Sequence, residues 1–167
     1  MNIALIGSKG TGKTTIAGLL AKKLEKKIVS TDGEVAKKAR MSVDNFVKKY
    51  GWERFYGMES EIVENVSGLD ECIFDTGSGI VLRNENIINL KRSALIVLLT
   101  ADIREILNRT KNDEKACKKS SVDETKSIPE EIESRYRRAA DYTIDTSGLS
   151  PEEASDLIAH YIRMELQ

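Results

Sequence analysis

The sequence predicts a single α/β domain in which a parallel sheet is covered by helices on both faces. Three observations lead there. Five short apolar runs, at Asn2–Ile6, Lys27–Ser30, 71–75, Ala94–Thr100 and Tyr142–Asp145, have the length of buried strands. Longer segments of helical period separate them, and strand–helix alternation of this kind builds parallel sheets. A glycine-rich turn joins the first run directly to the first helical segment.

Between the strands the apolar spacing gives the helices. Ile16, Leu19, Leu20 and Leu24 recur at the interval of one buried face. Ser42 is placed to cap a helix with Val43, Phe46, Val47 and Tyr50 along one side, and Phe55, Ile62, Val63 and Val66 mark a further helix after Gly51. The last helix is the clearest. In "SPEE", Ser150 is the N-cap, Pro151 takes the first helical position and Glu153 completes a capping box. Ala154, Leu157, Ile158, Tyr161 and Ile162 then form its apolar stripe. No repeat or linker interrupts 1–167, so one domain is expected. The polar stretch at 111–127 is a long insertion of low hydrophobicity, and 111–128 is expected to be a lid, with a disordered loop as the alternative.

A chain of 167 residues can bury a core without disulfides or metal staples. Its formal net charge of −1 gives no electrostatic reason to expect nucleic acid or an anionic membrane as partner. The longest apolar run, at 94–99, is far too short to span a bilayer. "MNIALIGSKG" lacks the basic start, long apolar stretch and cleavage site of an export signal, so the cytoplasm is the expected compartment and a monomer the expected form. Cys72 and Cys117 have no metal-ligand or redox spacing; the first is expected in the core, the second as an exposed thiol. His160 has no second histidine to work with and is expected on a helix surface.

The chemistry begins at "GSKGTGKT", residues 7–14, which fits G-x-x-x-x-G-K-[ST] in full and stands between an apolar strand and an amphipathic helix. This is the phosphate-binding loop of a P-loop NTPase fold. Gly7, Gly10 and Gly12, with Thr11, let successive backbone N–H groups and the helix N-terminus face phosphate oxygens. Lys13 is expected to bridge the β- and γ-phosphates of ATP, Thr14 to ligate Mg²⁺ through its hydroxyl and Thr15 to reach the α-phosphate. A plain glycine turn is the bland alternative, but such a turn has no need for Lys13 and Thr14 together.

Further along come "STD" at 30–32, "ARMSVDNFVKKYGWERFYGMESE" from Ala39, "TGSGIVLRNEN" from Thr76, "NRTKND" from Asn108 and "YRRAADYTIDTSGLSPEE" from Tyr136. With the phosphate loop, this ordered set resembles the shikimate kinase family over most of the chain. The resemblance implies a three-layer α/β/α domain with a five-stranded parallel sheet and a lid, in which ATP phosphorylates a hydroxyl of a small molecule. It implies that Asp32 contacts the acceptor hydroxyl and takes its proton, that Glu59 steadies the acceptor-site helix, and that Gly77, Ser78 and Gly79 form the floor of the acceptor pocket. It also implies that Arg109 lies beside the adenine.

Five positions depart from the family pattern. An acid near Mg²⁺ reads Ser30, a carboxylate-binding arginine reads Tyr56, a second arginine reads Ile132, and the "RP" of the lid reads Ala116-Cys117. Arginine gives a carboxylate two parallel charge-assisted hydrogen bonds, tyrosine one neutral bond. Each loss weakens an acidic ligand by about 1–3 kcal/mol where nothing replaces it. Arg135, three residues after Ile132 on nearly the same helical face, is the candidate replacement at the acceptor, ahead of Arg137 and Arg138. Asp75, closing the third apolar run ahead of the Thr-Gly turn, is the candidate carboxylate for Mg²⁺ in place of position 30; an Asx-type cap of the turn is its alternative. Lys115, Lys118 and Lys119 are candidates to reach the γ-phosphate from the lid, or else form a solvated charge run. The function expected is an ATP-dependent small-molecule kinase. The alternatives are a nucleotide or nucleoside kinase using Arg40, Arg54, Arg83 or Arg135 for an acceptor phosphate, and a nucleotide-binding module without transfer chemistry.

Overall fold

The structure, a computed structural model, describes residues 1–112 and 128–165. Five parallel strands, β1 (Asn2–Ile6), β2 (Lys27–Ser30), β3 (Cys72–Asp75), β4 (Ala94–Thr100) and β5 (Tyr142–Asp145), form one sheet in the order β2-β3-β1-β4-β5. Along β1 the side chains alternate between faces, as the period of two requires. Ile3 and Leu5 join Ile16, Ala17 and Leu20 of helix α1 (Lys13–Leu24) and Ile158 and Ile162 of helix α8 (Pro151–Glu165) on one side. Ala4 and Ile6 face the other side, where Phe46, Phe55, Ile62, Val63, Leu90 and Tyr136 close over Phe74.

That second layer is built from α2 (Thr31–Ala39), α3 (Val43–Tyr50), α4 (Trp52–Val66), α5 (Asn84–Ser93) and α7 (Glu130–Ala139). Helix α6 (Ile103–Asn112) follows β4. The caps form where the sequence places them. Ser42 Oγ accepts from Asn45 N at 3.1 Å, and Ser150 and Glu153 exchange both bonds of the capping box at 3.1 and 2.7 Å. Among the described residues no helix is long and apolar enough to cross a membrane.

Several expectations need correction. β3 starts at Cys72, because Glu71 has a positive φ of 56° and turns its carboxylate out to the N-terminal amine and Lys26. Leu157, expected in the apolar stripe, is 47% exposed and Tyr50 40%, whereas the small residues Ser155 and Ala159 of α8 are buried. Lys111 and Asn112 finish α6, so the polar insertion begins inside a helix. The rest of the expected lid, residues 113–127 with Lys115, Lys118, Lys119 and Cys117, lies outside the described residues. Cys72 is buried and His160 exposed, as expected.

The contact between α1 and α8 locks the first helix, and with it the phosphate loop, onto the sheet. Ile158 is wholly buried at its centre. Ile158→Ala is expected to cost about 2–5 kcal/mol in urea unfolding; a loss below about 1 kcal/mol would contradict the packing described.

Candidate active site

The site gathers at the carboxyl ends of β1, β2 and β3, where a parallel sheet opens its ligand crevice. Residues 7–12 leave β1 and turn into α1. Gly7 has φ +146°, and a side chain there would run into the Leu99 carbonyl of the neighbouring strand; Gly10 and Gly12 also have positive φ, 86° and 93°. The loop is thus held in a shape that L side chains resist. Lys13 folds back over it. Its ammonium donates to Gly7 O at 2.7 Å and Ser8 O at 3.0 Å, and burial pushes it down to about 8 against the pull of Asp75 and Asp32.

Thr14 Oγ1 donates to Asp75 Oδ2 at 2.8 Å. Ser30 and Asp75 are direct register partners on adjacent strands, so the carboxylate stands one strand over from the position that the resemblance assigns to an acid. Ser30 instead caps α2, its Oγ accepting from Gly33 N at 3.1 Å. The Gly77 amide, one possible target of an Asx-type cap, donates to Thr31 Oγ1 at 3.0 Å. Burial raises the Asp75 carboxyl above its ordinary value, opposed by the Thr14 hydrogen bond and Lys13. One carboxylate and one hydroxyl suit Mg²⁺, which takes few protein oxygens and completes its shell with phosphate and water. Among the described residues no group of three or more His, Cys, Asp or Glu gathers to make a dedicated metal cage.

On the other side of the loop lies a cleft of ≈ 510 Å³, lined by Lys9, Gly12, Thr15, Arg109, Leu149 and Pro151 among others. Its size is that of a small-molecule site. Arg109 reaches it from α6. It donates to Thr146 O at 3.0 Å and Oγ1 at 3.2 Å and pairs with Glu105 at 3.0 Å, so its planar guanidinium is fixed at the cleft wall.

Asp32 and Glu59 stand across from the loop. Both carboxyls crowd the turn after β3: a Cβ on Gly77 would lie 2.6 Å from Asp32 Oδ1 and 2.7 Å from Glu59 Oε1. A Cβ on Gly79 would lie 2.6 Å from Tyr56 Cε1, so Tyr56 packs its ring onto the turn. Tyr136 donates its hydroxyl to Ser78 O. Arg135 donates to Leu82 O at 3.2 Å and pairs with Glu131 at 3.0 Å, which sets it beside the 3-10 turn Ile80–Leu82 that follows the glycines. Ile132 is half-buried and packs against the core cluster on that face of the sheet. Of the other arginines, Arg83 pairs with Glu53 at 2.6 Å, Arg54 lies over the Tyr50 ring and Arg40 ends α2.

Four polar residues of this region were not singled out by sequence reasoning. Thr31 is wholly buried and its hydroxyl lies between Glu59 Oε1 and the Gly77 amide. Thr146 and Glu105 hold Arg109, and Tyr136 props the glycine turn. Their one available signal was position: Thr31 beside Asp32 at a helix start, and Thr146 just past the end of β5.

Glu59 is wholly buried, and its Oε2 has no hydrogen-bond partner among the described residues. Burial, then the Asp32 charge, raises the carboxyl to about 7, opposed by the Thr31 hydroxyl and Arg83. An acid raised on folding keeps a proton that the unfolded chain releases. Stability therefore falls as pH rises from the ordinary value of 4.5 through about 7. Urea unfolding at pH 5 and pH 8 is expected to show wild type losing on the order of 2–3 kcal/mol more than Glu59→Gln across that interval. Equal losses would contradict the burial of an ionisable Glu59.

The model of the shikimate kinase family matches residues 9–163. The shikimate kinase of Caldanaerobacter subterraneus is 37% identical over 167 residues, covering 98% of each chain. That of Caldicellulosiruptor bescii is 35% identical over 159 residues, covering 94% of this chain and 92% of the other. Among solved structures, the Aquifex aeolicus shikimate kinase aligns at a TM-score of 0.84 with 26% identity, covering 99% of this chain and 98% of that one. The Acinetobacter baumannii enzyme, solved in complex with shikimate, aligns at 0.88 with 24% identity over 98% and 93%, a likeness of fold. The match runs through the phosphate loop, the glycine turn and the last helix alike, and the chain belongs to the shikimate kinase family, the ATP-dependent phosphotransferases that work with Mg²⁺.

Proposed function

We propose that the chain transfers the γ-phosphoryl group of ATP to a ring hydroxyl of a small acceptor of shikimate-like size. One observation carries the reading: the Lys13 ammonium lies on the phosphate loop, with Asp75 bonded to the adjacent Thr14 and Asp32 set against the glycine turn, both near enough to raise its proton affinity. A cation between a metal-side carboxylate and an acceptor-side carboxylate is the arrangement that in-line phosphoryl transfer needs, since positioning and charge neutralisation dominate its catalysis.

In this reading the amides of Gly7, Gly10, Thr11 and Gly12 grip the phosphates, Lys13 spans the β- and γ-groups, and Thr15 meets the α-phosphate. Arg109 lies along the adenine. Thr14 and Asp75 would hold Mg²⁺, which would supply charge neutralisation at the phosphate oxygens. Gly77, Ser78 and Gly79 leave room for the acceptor ring, with Tyr56 and Arg135 at its edges. Asp32 accepts the hydroxyl proton. Asp32 stands in the first turn of α2, where the helix dipole favours a carboxylate, so its helix-start role and its catalytic role coexist.

Coupled ADP release with Mg·ATP and a panel of ring hydroxy compounds tests this. Asp32→Asn is expected to lower kcat about tenfold or more with ATP affinity unchanged. Asp75→Asn is expected to raise the Mg²⁺ concentration for half-maximal rate by about 10–100-fold. An Asp32→Asn rate equal to wild type would remove the proton-acceptor role; an unchanged Mg²⁺ requirement would remove Asp75 from the metal site.

A further inference from the structure

We propose that Glu59 is a positioning residue for the transfer: it keeps a proton beside Asp32, so that the two carboxyls present one negative charge to the acceptor hydroxyl, and its ionisation weakens the acceptor site. The inference rests on the kinase reading above and concerns the acceptor side of that same site.

The fold brings the two acids together. Asp32 comes from the first turn of α2 and Glu59 from the middle of α4, and both converge on the turn after β3. The point where Gly77 would carry a Cβ lies 2.6 Å from Asp32 Oδ1 and 2.7 Å from Glu59 Oε1. The Gly77 amide donates to Thr31 Oγ1 at 3.0 Å, which leaves the Thr31 hydrogen for Glu59 Oε1 at 3.5 Å. One oxygen of Glu59 is therefore an acceptor, and the other, Oε2, is buried with no hydrogen-bond partner among the described residues. The proton belongs on Oε2, because a bare carboxylate oxygen without a donor is costly where water is excluded.

Two carboxyls in one site do not both ionise cheaply, and their surroundings decide which keeps the proton. Asp32 stands where a helix dipole favours the anion and where its charge is felt by the Lys13 ammonium. Glu59 lies away from either end of α4 and is wholly buried. Facing it are Thr31 and Asp32 from α2, Arg83 just after the 3-10 turn, and Tyr136 from α7, whose phenol is pushed up by burial and then by the Glu59 charge. Burial, then the Asp32 charge, holds the Glu59 proton up to about 7, with Thr31 and Arg83 opposing. Below that pH Asp32 alone is charged and takes the hydroxyl proton, while Glu59 keeps its own. Above it a second anion enters the pocket, repels the phosphoryl group and competes with Asp32 for the one proton left to the pair. Turnover is therefore present below about 7 and lost as pH rises through it.

The test is the pH dependence of kcat/KM for the acceptor at saturating Mg·ATP, where phosphate keeps Lys13 charged. The acceptor is shikimate, or whichever compound of the hydroxy panel is turned over fastest, and ADP is read by chromatography so that no coupling enzyme limits the pH range. Wild type is expected to fall about tenfold or more from pH 6.5 to pH 8.5, and Glu59→Gln to change by less than about threefold over that interval. Profiles of the same shape in the two proteins, whatever their absolute rates, overturn the inference and leave Glu59 a structural residue. Carbon-13 NMR of protein labelled at the glutamate side-chain carboxyls reads the proton without turnover. The resonance lost in Glu59→Gln is expected to titrate near 7 in wild type, and about half a unit or more lower in Asp32→Asn. Titration at the ordinary 4.5, or an unmoved midpoint in Asp32→Asn, overturns the inference. If Glu59→Gln does not fold, the wild-type resonance near 7 that moves in Asp32→Asn carries the same test. The kinase reading fails by a different result: nucleotide binds, yet no compound of the hydroxy panel releases ADP at any pH.

Discussion

The site is organised around one buried ammonium. Lys13 lies at the start of α1, folded onto the carbonyls of Gly7 and Ser8, in surroundings that depress its affinity for a proton. A charge so placed is costly until anions surround it. The fold supplies two carboxylates that raise its proton affinity, Asp75 from the end of β3 and Asp32 from the start of α2. The packing of α1 between the sheet and α8 keeps that balance in place. With Ile16, Ala17 and Leu20 buried on one face, the helix cannot slide without opening the core.

The central strands β1, β3 and β4 were legible because burial on both faces leaves them as largely apolar runs, and four of the five strands were bounded by the sequence as the structure has them. The phosphate loop was legible for a different reason: its glycines answer to backbone geometry, and Gly7 has no room for a side chain against Leu99. What escaped were pairings across long sequence separations. Nothing local to Asp75 announces that it meets Thr14, 61 residues away, or that Ser30 is its register partner. The reading of Asp75 came from comparing strand ends, whereas Tyr136 and Thr146 offered no such comparison. Leu157 was misjudged because helical period alone does not tell a leucine that packs from one at the stripe's edge.

Family membership separates the readings left open by the residues. A shikimate kinase relative matched along nearly its whole length makes phosphoryl transfer the activity, and the non-catalytic module falls away. A nucleotide acceptor would need a cation for its phosphate. Arg40 caps α2, Arg54 lies on Tyr50, and Arg83 and Arg135 pair with glutamates, so the described acceptor side has acids and aromatic rings where such a kinase needs a basic patch.

Since the whole arrangement answers to the Lys13 charge, calorimetric titration of Mg·ATP into wild type and Lys13→Ala tests it most directly. Loss of a charge-assisted contact to two phosphate groups is expected to weaken binding by about tenfold or more, with the urea midpoint of the free protein unchanged or raised because a buried charge has gone. Equal affinity for the nucleotide in the two proteins would contradict the account.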